Sequence, residues 1–61
     1  MRKFRVFFNV FHEGRIVEKK ILVVESGNKK LATFRAMREI NKDPKYVDLY
    51  KTVDRVEEIV E

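Results

Sequence analysis

The chain has 61 residues, no cysteine and a formal net charge of +4, so that a single domain is expected and these residues form no disulfide or thiolate-metal framework. A domain this small buries only about 60% of the surface its unfolded chain exposes. Enclosing a ligand cavity of roughly 300–1,000 Å³ with so thin a core is hard, so neither a small-molecule substrate nor a cofactor is expected.

Residues 3–11 are dense in Phe and Val with a two-residue period, which argues for a strand. The two basic residues at positions 2 and 3 followed by Phe4 resemble the start of a leader. Arg5 and Asn9 interrupt the apolar run, however, and no small-residue cleavage site follows. Residues 16–24 have the same strand character, and Glu13-Gly14 lies between the two as a hairpin turn, the glycine supplying a positive φ. A two-residue turn there pairs His12 with Arg15. Continued without interruption, this register puts Phe4, Val6, Phe8, Val10, Val17, Ile21 and Val23 on one side, with Lys19 as its only polar member. The other side collects Lys3, Arg5, Phe7, Asn9, Phe11, Ile16, Glu18, Lys20, Leu22 and Val24. One apolar and one mixed side suit a hairpin packed on a single face.

Glu25-Ser26-Gly27-Asn28 breaks the strand and offers Ser26 or Asn28 as a helix N-cap. A helix is expected over 28–42, with Leu31, Thr33, Phe34, Met37 and Ile40 on its broad apolar side and Arg35, Arg38, Glu39 and Lys42 opposite. Asp43-Pro44 stops it. Residues 46–53 alternate again and read as a third strand, with Val47, Leu49 and Val53 on one side. An acidic tail over 54–61 follows, either a frayed continuation of the strand or a helical turn on the capping-box spacing of Asp54-Arg55-Val56-Glu57. The expected fold is therefore one α+β domain of ββαβ order. A right-handed crossover places the third strand beside the first, giving a three-stranded antiparallel sheet in the order 2-1-3 with the helix on one face.

Charge is unevenly spread. Of the Lys and Arg residues only Lys51 and Arg55 follow Tyr46, whereas Asp48, Asp54, Glu57, Glu58 and Glu61 all do. A basic body attracts acidic proteins or polyanions, and an acidic end can screen it. No segment approaches the ~18 apolar residues of a membrane span, and a cytoplasmic protein without a membrane partner is expected.

Catalytic groupings are lacking. His12, the lone histidine, sits at the turn without a neighbouring nucleophile and cannot complete a common zinc set. Gly14 and Gly27 are the only glycines, so there is no glycine-rich phosphate loop. Ser26-Gly27-Asn28-Lys29-Lys30 offers helix amides and two lysines to an anion, or else a capped helix start with solvated lysines. The stripe Arg35, Arg38 and Lys42 can follow a nucleic-acid backbone, although an Arg35–Glu39 pair explains the same residues. An enzyme is not expected.

The mixed sheet side is the most informative feature, with Phe7, Phe11, Arg5, Lys20 and Leu22 as its candidate contact residues. Three occupants compete for it: the acidic tail folding back through Val56, Ile59 and Val60, a protein partner or second copy, and single-stranded nucleic acid stacked on the phenylalanines. A sheet edge offers a further route for a homodimer or an added strand.

The layout of a Phe/Val hairpin, one helix, a last strand and a charged tail resembles that of small accessory proteins made by bacteriophages and prophages. Some of those are compact ββαβ domains that inhibit a host enzyme such as RNA polymerase by occupying a surface. The resemblance lies in element order and carries no residue-level motif. It implies a protein-binding role. The resulting expectation is a non-catalytic protein-binding module using Phe7, Phe11, Arg5, Lys20 and Leu22. The alternatives are a nucleic-acid-binding protein using Lys29, Lys30, Arg35, Arg38 and Lys42, and a structural homo-oligomer.

Overall fold

A computed structural model describes residues 1–60. Its elements run β1 (Arg2–His12), β2 (Arg15–Ser26), α1 (Lys29–Ile40) and β3 (Tyr50–Ile59). The three strands form one antiparallel sheet in the order β2-β1-β3, and α1 covers one face. The ββαβ layout read from the sequence is the one observed, with the Phe- and Val-rich strand at its centre.

The turn closes as its residues demand. Glu13 and Gly14 have φ of 52° and 77°, the positive pair that matches the right-handed twist of a two-residue hairpin, and His12 pairs with Arg15. Two pairs further on, the register departs from the regular alternation. Phe11 faces Ile16, but Val10 faces Glu18, so Val17 is a β-bulge. From there each β2 residue sits one place away from where unbroken pairing puts it. Leu22 and Val24 face Val6 and Phe4, whereas Ile21 and Val23 face Phe7 and Arg5. One bulge exchanges the two sides of a strand. The placement of Ile21 and Val23 on the helix side is therefore corrected, and with it the placement of Lys20 and Leu22 on the mixed side, while Val17 itself stands unpaired and exposed at the bulge.

The core lies between the sheet and the helix. Phe4, Val6, Phe8 and Val10 from β1 are buried together with Ala32, Ala36, Ile40 and Tyr46. Leu22, Val24, Met37, Leu49, Val53 and Val56 pack around them. Fully burying each large side chain contributes about 1.5–3 kcal/mol. The helix turns its alanines inward, at i, i+4 and i+8 with Ile40, and leaves Leu31 and Phe34 exposed. Steric demand accounts for this correction to the expected apolar side. The sheet face already carries the rings of Phe4 and Phe8, and small residues let the helix approach it. Asn28 is the N-cap, its Oδ1 accepting from the Leu31 amide at 2.9 Å.

A helix of 12 residues spans about 18 Å beneath a molecule 37 Å long. The segment 41–49 covers the rest. Asp43 caps a second helical turn: its Oδ1 accepts from the Lys45 amide at 2.9 Å and its carbonyl from Tyr46 and Val47. Pro44 stands at the first position of that turn, where a missing amide costs nothing. The turn drives Tyr46 into the core. Tyr46 thus belongs to a cover and not to a strand, and β3 starts at Tyr50 instead of position 46. The acidic stretch from Asp54 to Ile59 lies within β3 and forms no separate tail. Glu61, the last residue of the expected tail, lies outside the described residues.

Candidate functional site

The sheet face away from α1 is built by alternation. From β1 it receives Lys3, Arg5, Phe7, Asn9 and Phe11. The residues paired with them follow on each side: Ile16, Lys19, Ile21, Val23 and Glu25 from β2, and Tyr50, Thr52, Arg55, Glu57 and Ile59 from β3. Ile16, Val17, Ile21 and Val23 are between 50% and 59% exposed, and Tyr50 is 69% exposed. No other element among the described residues packs on this face.

Its aromatic residues are propped from β3. The Arg55 guanidinium lies 4.2 Å from the centroid of the Phe7 ring, a cation–π arrangement, and its Nε is 3.4 Å from Glu57 Oε2. Phe11 meets Tyr50 with ring centroids 5.5 Å apart and planes tilted by 56°, within the separation at which aromatic pairs attract. Phe7 and Phe11 are consequently half-buried, while the β2 aliphatics beside them stand clear. Between the two rings, Asn9 Oδ1 is buried without a hydrogen-bond partner among the described residues.

Phe7, Phe11 and Arg5 are brought together on this face as the sequence indicates, whereas Lys20 and Leu22 are not. Lys20 Nζ lies 5.7 Å from the Tyr46 ring centroid on the helix side, and Leu22 packs against the core. In their place the bulge presents Ile21 and Val23, and β3 supplies Tyr50 and Arg55. Sequence reasoning missed these four. The unbroken apolar run Ile21–Val24 was the only signal that β2 had apolar residues to spare for both sides.

The basic residues divide. Arg35, Arg38 and Lys42 line an open groove of about 780 Å³ between α1 and β2, together with Lys3, Val23, Val24, Glu25 and Glu39. Lys29 and Lys30 do not line it. Arg35 Nη1 donates to the Glu25 carbonyl at 2.8 Å and Lys42 Nζ to Glu39 Oε1 at 3.1 Å. The expected Arg35–Glu39 pair is thus replaced by these two contacts. The Arg38 side chain has no hydrogen-bonding or ion-pairing partner among the described residues.

At the helix start, Ser26 Oγ donates to the Asn28 carbonyl and Arg2 Nη1 to the Gly27 carbonyl. With Asn28 as cap, the polar groups of Ser26, Gly27 and Asn28 are engaged from within. His12 is exposed, its Nε2 3.6 Å from Glu13 Oε1. No cluster of three or more His, Cys, Asp or Glu that suits a metal occurs among the described residues, and none of their helices is long and apolar enough to cross a membrane.

Two ionic clasps hold the helix side. The Tyr46 hydroxyl donates to Glu18 Oε2, and Lys45 Nζ lies 3.2 Å from Glu18 Oε1. The hydrogen bond from Tyr46, aided by Lys45 and Lys20, holds the Glu18 carboxyl below its ordinary range. The same bond, followed by burial, pushes the Tyr46 phenol up. At the other end Arg2 binds Glu58 through both Nε and Nη2, at 2.9 and 2.6 Å, which lowers the Glu58 carboxyl and raises the guanidinium.

No family model matches the chain, and no curated protein or solved structure matches it either.

Proposed function

We propose that this chain is a non-catalytic protein-binding module whose contact surface is the open face of the sheet. One observation carries the reading. Ile21 and Val23, with Ile16 beyond Lys19, are each half-exposed or more beside Phe7, Phe11 and Tyr50, and no other element among the described residues lies over them. A small domain that leaves such apolar surface uncovered has a standing free-energy gain from covering it, about 25 cal/mol per Å² of apolar surface removed from water. Lys3, Arg5, Lys19 and Arg55 around it, with Glu25 and Glu57, supply the charged rim that orients a partner and speeds encounter. The occupant is a folded protein with a complementary apolar patch, taken up by surface occupation as in the phage-type accessory proteins the layout resembles.

The test replaces Ile16, Val17 and Tyr50 by Thr, keeping strand propensity while removing apolar surface. Affinity capture from a lysate is compared between the parent and this variant, and both are examined by circular dichroism and sedimentation. The reading expects a protein held by the parent and lost by an equally folded variant. Equal capture by both, or nothing held by either while both sediment as monomers, overturns it.

Nucleic acid has one observation in its favour, since Arg35, Arg38 and Lys42 share a groove. Glu25 and Glu39 in the same wall weaken that field, and strong binders make roughly six to ten phosphate contacts.

A further inference from the structure

The two sheet edges differ in how they are guarded. Along β3, Lys51, Asp54, Arg55, Glu57 and Glu58 spread charge over the strand, and the register breaks at the pairing of Phe7 and Phe8, leaving Asp54 as a bulge. Charges and bulges are the devices that stop an edge from pairing with another chain. The stretch of β2 from Ile21 to Val24 has neither charge nor proline, and its register is regular beyond Val17. Among the described residues no strand lies on its outer side.

The backbone groups of that stretch point outward. Arg35 reaches over the edge to the Glu25 carbonyl, so that carbonyl faces away from β1. Antiparallel strands alternate the direction of their amides and carbonyls, and Val23 and Ile21 accordingly direct theirs the same way. Counting from the closing His12–Arg15 pair through the Val17 bulge gives the same parity.

A strand laid along this edge has two chemically distinct neighbours. Its side chains on the helix side meet the groove wall of Arg35, Arg38 and Lys42, where the three cations outnumber Glu39, and Lys20 lies on the same side of β2. Its side chains on the other side lie next to Ile21 and Val23. We infer that the groove between β2 and α1 takes an extended protein segment of alternating acidic and apolar residues, which adds to β2 as a fourth strand. This rests on the protein-binding reading and names the chemistry of a partner segment for it. Charge complementarity selects this occupant. A second copy paired edge to edge about a two-fold axis brings the basic flank of one helix toward that of the other. A phosphate backbone uses the cations but leaves the outward amides and carbonyls of Ile21 and Val23 unpaired.

The probe is a labelled synthetic peptide of alternating valine and glutamate, about nine residues long, titrated by fluorescence anisotropy into the full chain. Binding is expected to weaken about tenfold or more when glutamine replaces glutamate in the peptide, and likewise in Arg38→Gln with Lys42→Gln. Methylating alternate backbone nitrogens on the edge that faces β2 removes binding, and hydrogen exchange at the Ile21 and Val23 amides slows only with peptide present. The inference is overturned by equal binding of the glutamine peptide or by unprotected Ile21 and Val23 amides. Displacement of the peptide by a tighter-binding oligothymidylate, or a dimer whose edge amides are protected without peptide, also overturns it. Should the peptide fail while the Thr variant of Ile16, Val17 and Tyr50 loses its captured protein, the protein-binding reading stands and the groove assignment alone falls. Failure of both removes both.

Discussion

The two faces of the sheet use the same kinds of residue and end in opposite states. On the helix side Phe4, Val6, Phe8 and Val10 are at most 1% exposed beneath Ala32, Ala36, Ile40 and Tyr46, while on the other side Ile21 and Val23 are half-exposed or more. Leu22 and Val24, their immediate neighbours in β2, lie inside. Apolar content therefore does not distinguish the core from the open face in this molecule. What distinguishes them is which side the single helix and the 41–49 cover occupy, and which β2 residues the Val17 bulge turns toward that side.

The widest separation between the faces is expected from single substitutions. Phe8→Ala, in the closed core, should cost about 3–5 kcal/mol, comparable with the whole stability of a domain this small, so most of the variant is unfolded in buffer. Ile21→Thr on the open face keeps a β-branched side chain and should stay within about 0.5 kcal/mol. Urea denaturation followed by circular dichroism measures both. A loss at Ile21 comparable to that at Phe8 would show that the face called open is covered.

The helix-side clasps give that face a pH dependence. The Glu18 carboxyl is depressed in the folded chain, so its contribution is complete above the ordinary carboxylate value and disappears as pH falls through the folded one. The Tyr46 phenol is raised, so its contribution is complete below the ordinary tyrosine value and disappears as pH rises through the folded one. Lys45, also raised, is lost in the same alkaline direction. Tyr46→Phe removes the shared hydrogen bond. Its stability profile should lose part of the fall on the acid side and part on the alkaline side, leaving the acid-side share of Arg2 and Glu58. Urea midpoints measured across the pH range test this, and an unchanged profile would show that the Tyr46–Glu18 bond does not persist in solution.

A subtler way to separate the faces is to delete Val17. In the observed register the deletion leaves Phe11 opposite Ile16 and Val10 opposite Glu18, now as a regular ladder. Every later pair is preserved, so Leu22 and Val24 should remain inside, with a change in stability of about 1–2 kcal/mol from lost local twist and contacts. Cross-strand nuclear Overhauser contacts report the pairing. If the bulge-free register were instead the native one, the same deletion would throw Ile21 and Val23 outward and unfold the domain.

Element order, the central place of β1, the two-residue turn and the Asn28 cap were legible because each rests on local chemistry: a two-residue period, a glycine with positive φ, a side chain that accepts from an amide. The inner side of β2 was not. Ile21 through Val24 are four apolar residues in succession, so either alternation fills the core equally well. The choice falls to the bulge, whose benefit is tertiary: it sets Glu18 and Lys20 beside Tyr46 and Glu18 within reach of its hydroxyl. The helix misled for a related reason. Periodicity weights Leu31 and Phe34 by size, but the space left above Phe4 and Phe8 admits Ala32 and Ala36. Alternation over 46–53 places Tyr46 in a strand and Asp43-Pro44 reads only as a helix stop, whereas here it also starts the next turn. Of the candidate contact residues, those on β1 could be placed because β1 has no ambiguity of side. Lys20 and Leu22 inherited the ambiguity of β2.

The hairpin turn sets the register for both faces, so a change there should move stability while leaving the contrast between them intact. Glu13 holds a φ of 52°, in the left-handed region where most side chains meet steric cost and asparagine little. Glu13→Asn gives the Asn-Gly pair favoured at such turns. It should raise stability by about 0.5–1 kcal/mol, with Leu22 and Val24 still inside and the affinity for the acidic peptide unchanged, because the groove lies at the opposite end of β2. The urea midpoint and the anisotropy titration are measured on the same preparation. A gain in stability accompanied by altered peptide affinity would mean that the groove depends on the turn through a shift in register, and the pairing of Ile21 with Phe7 would then have to be abandoned.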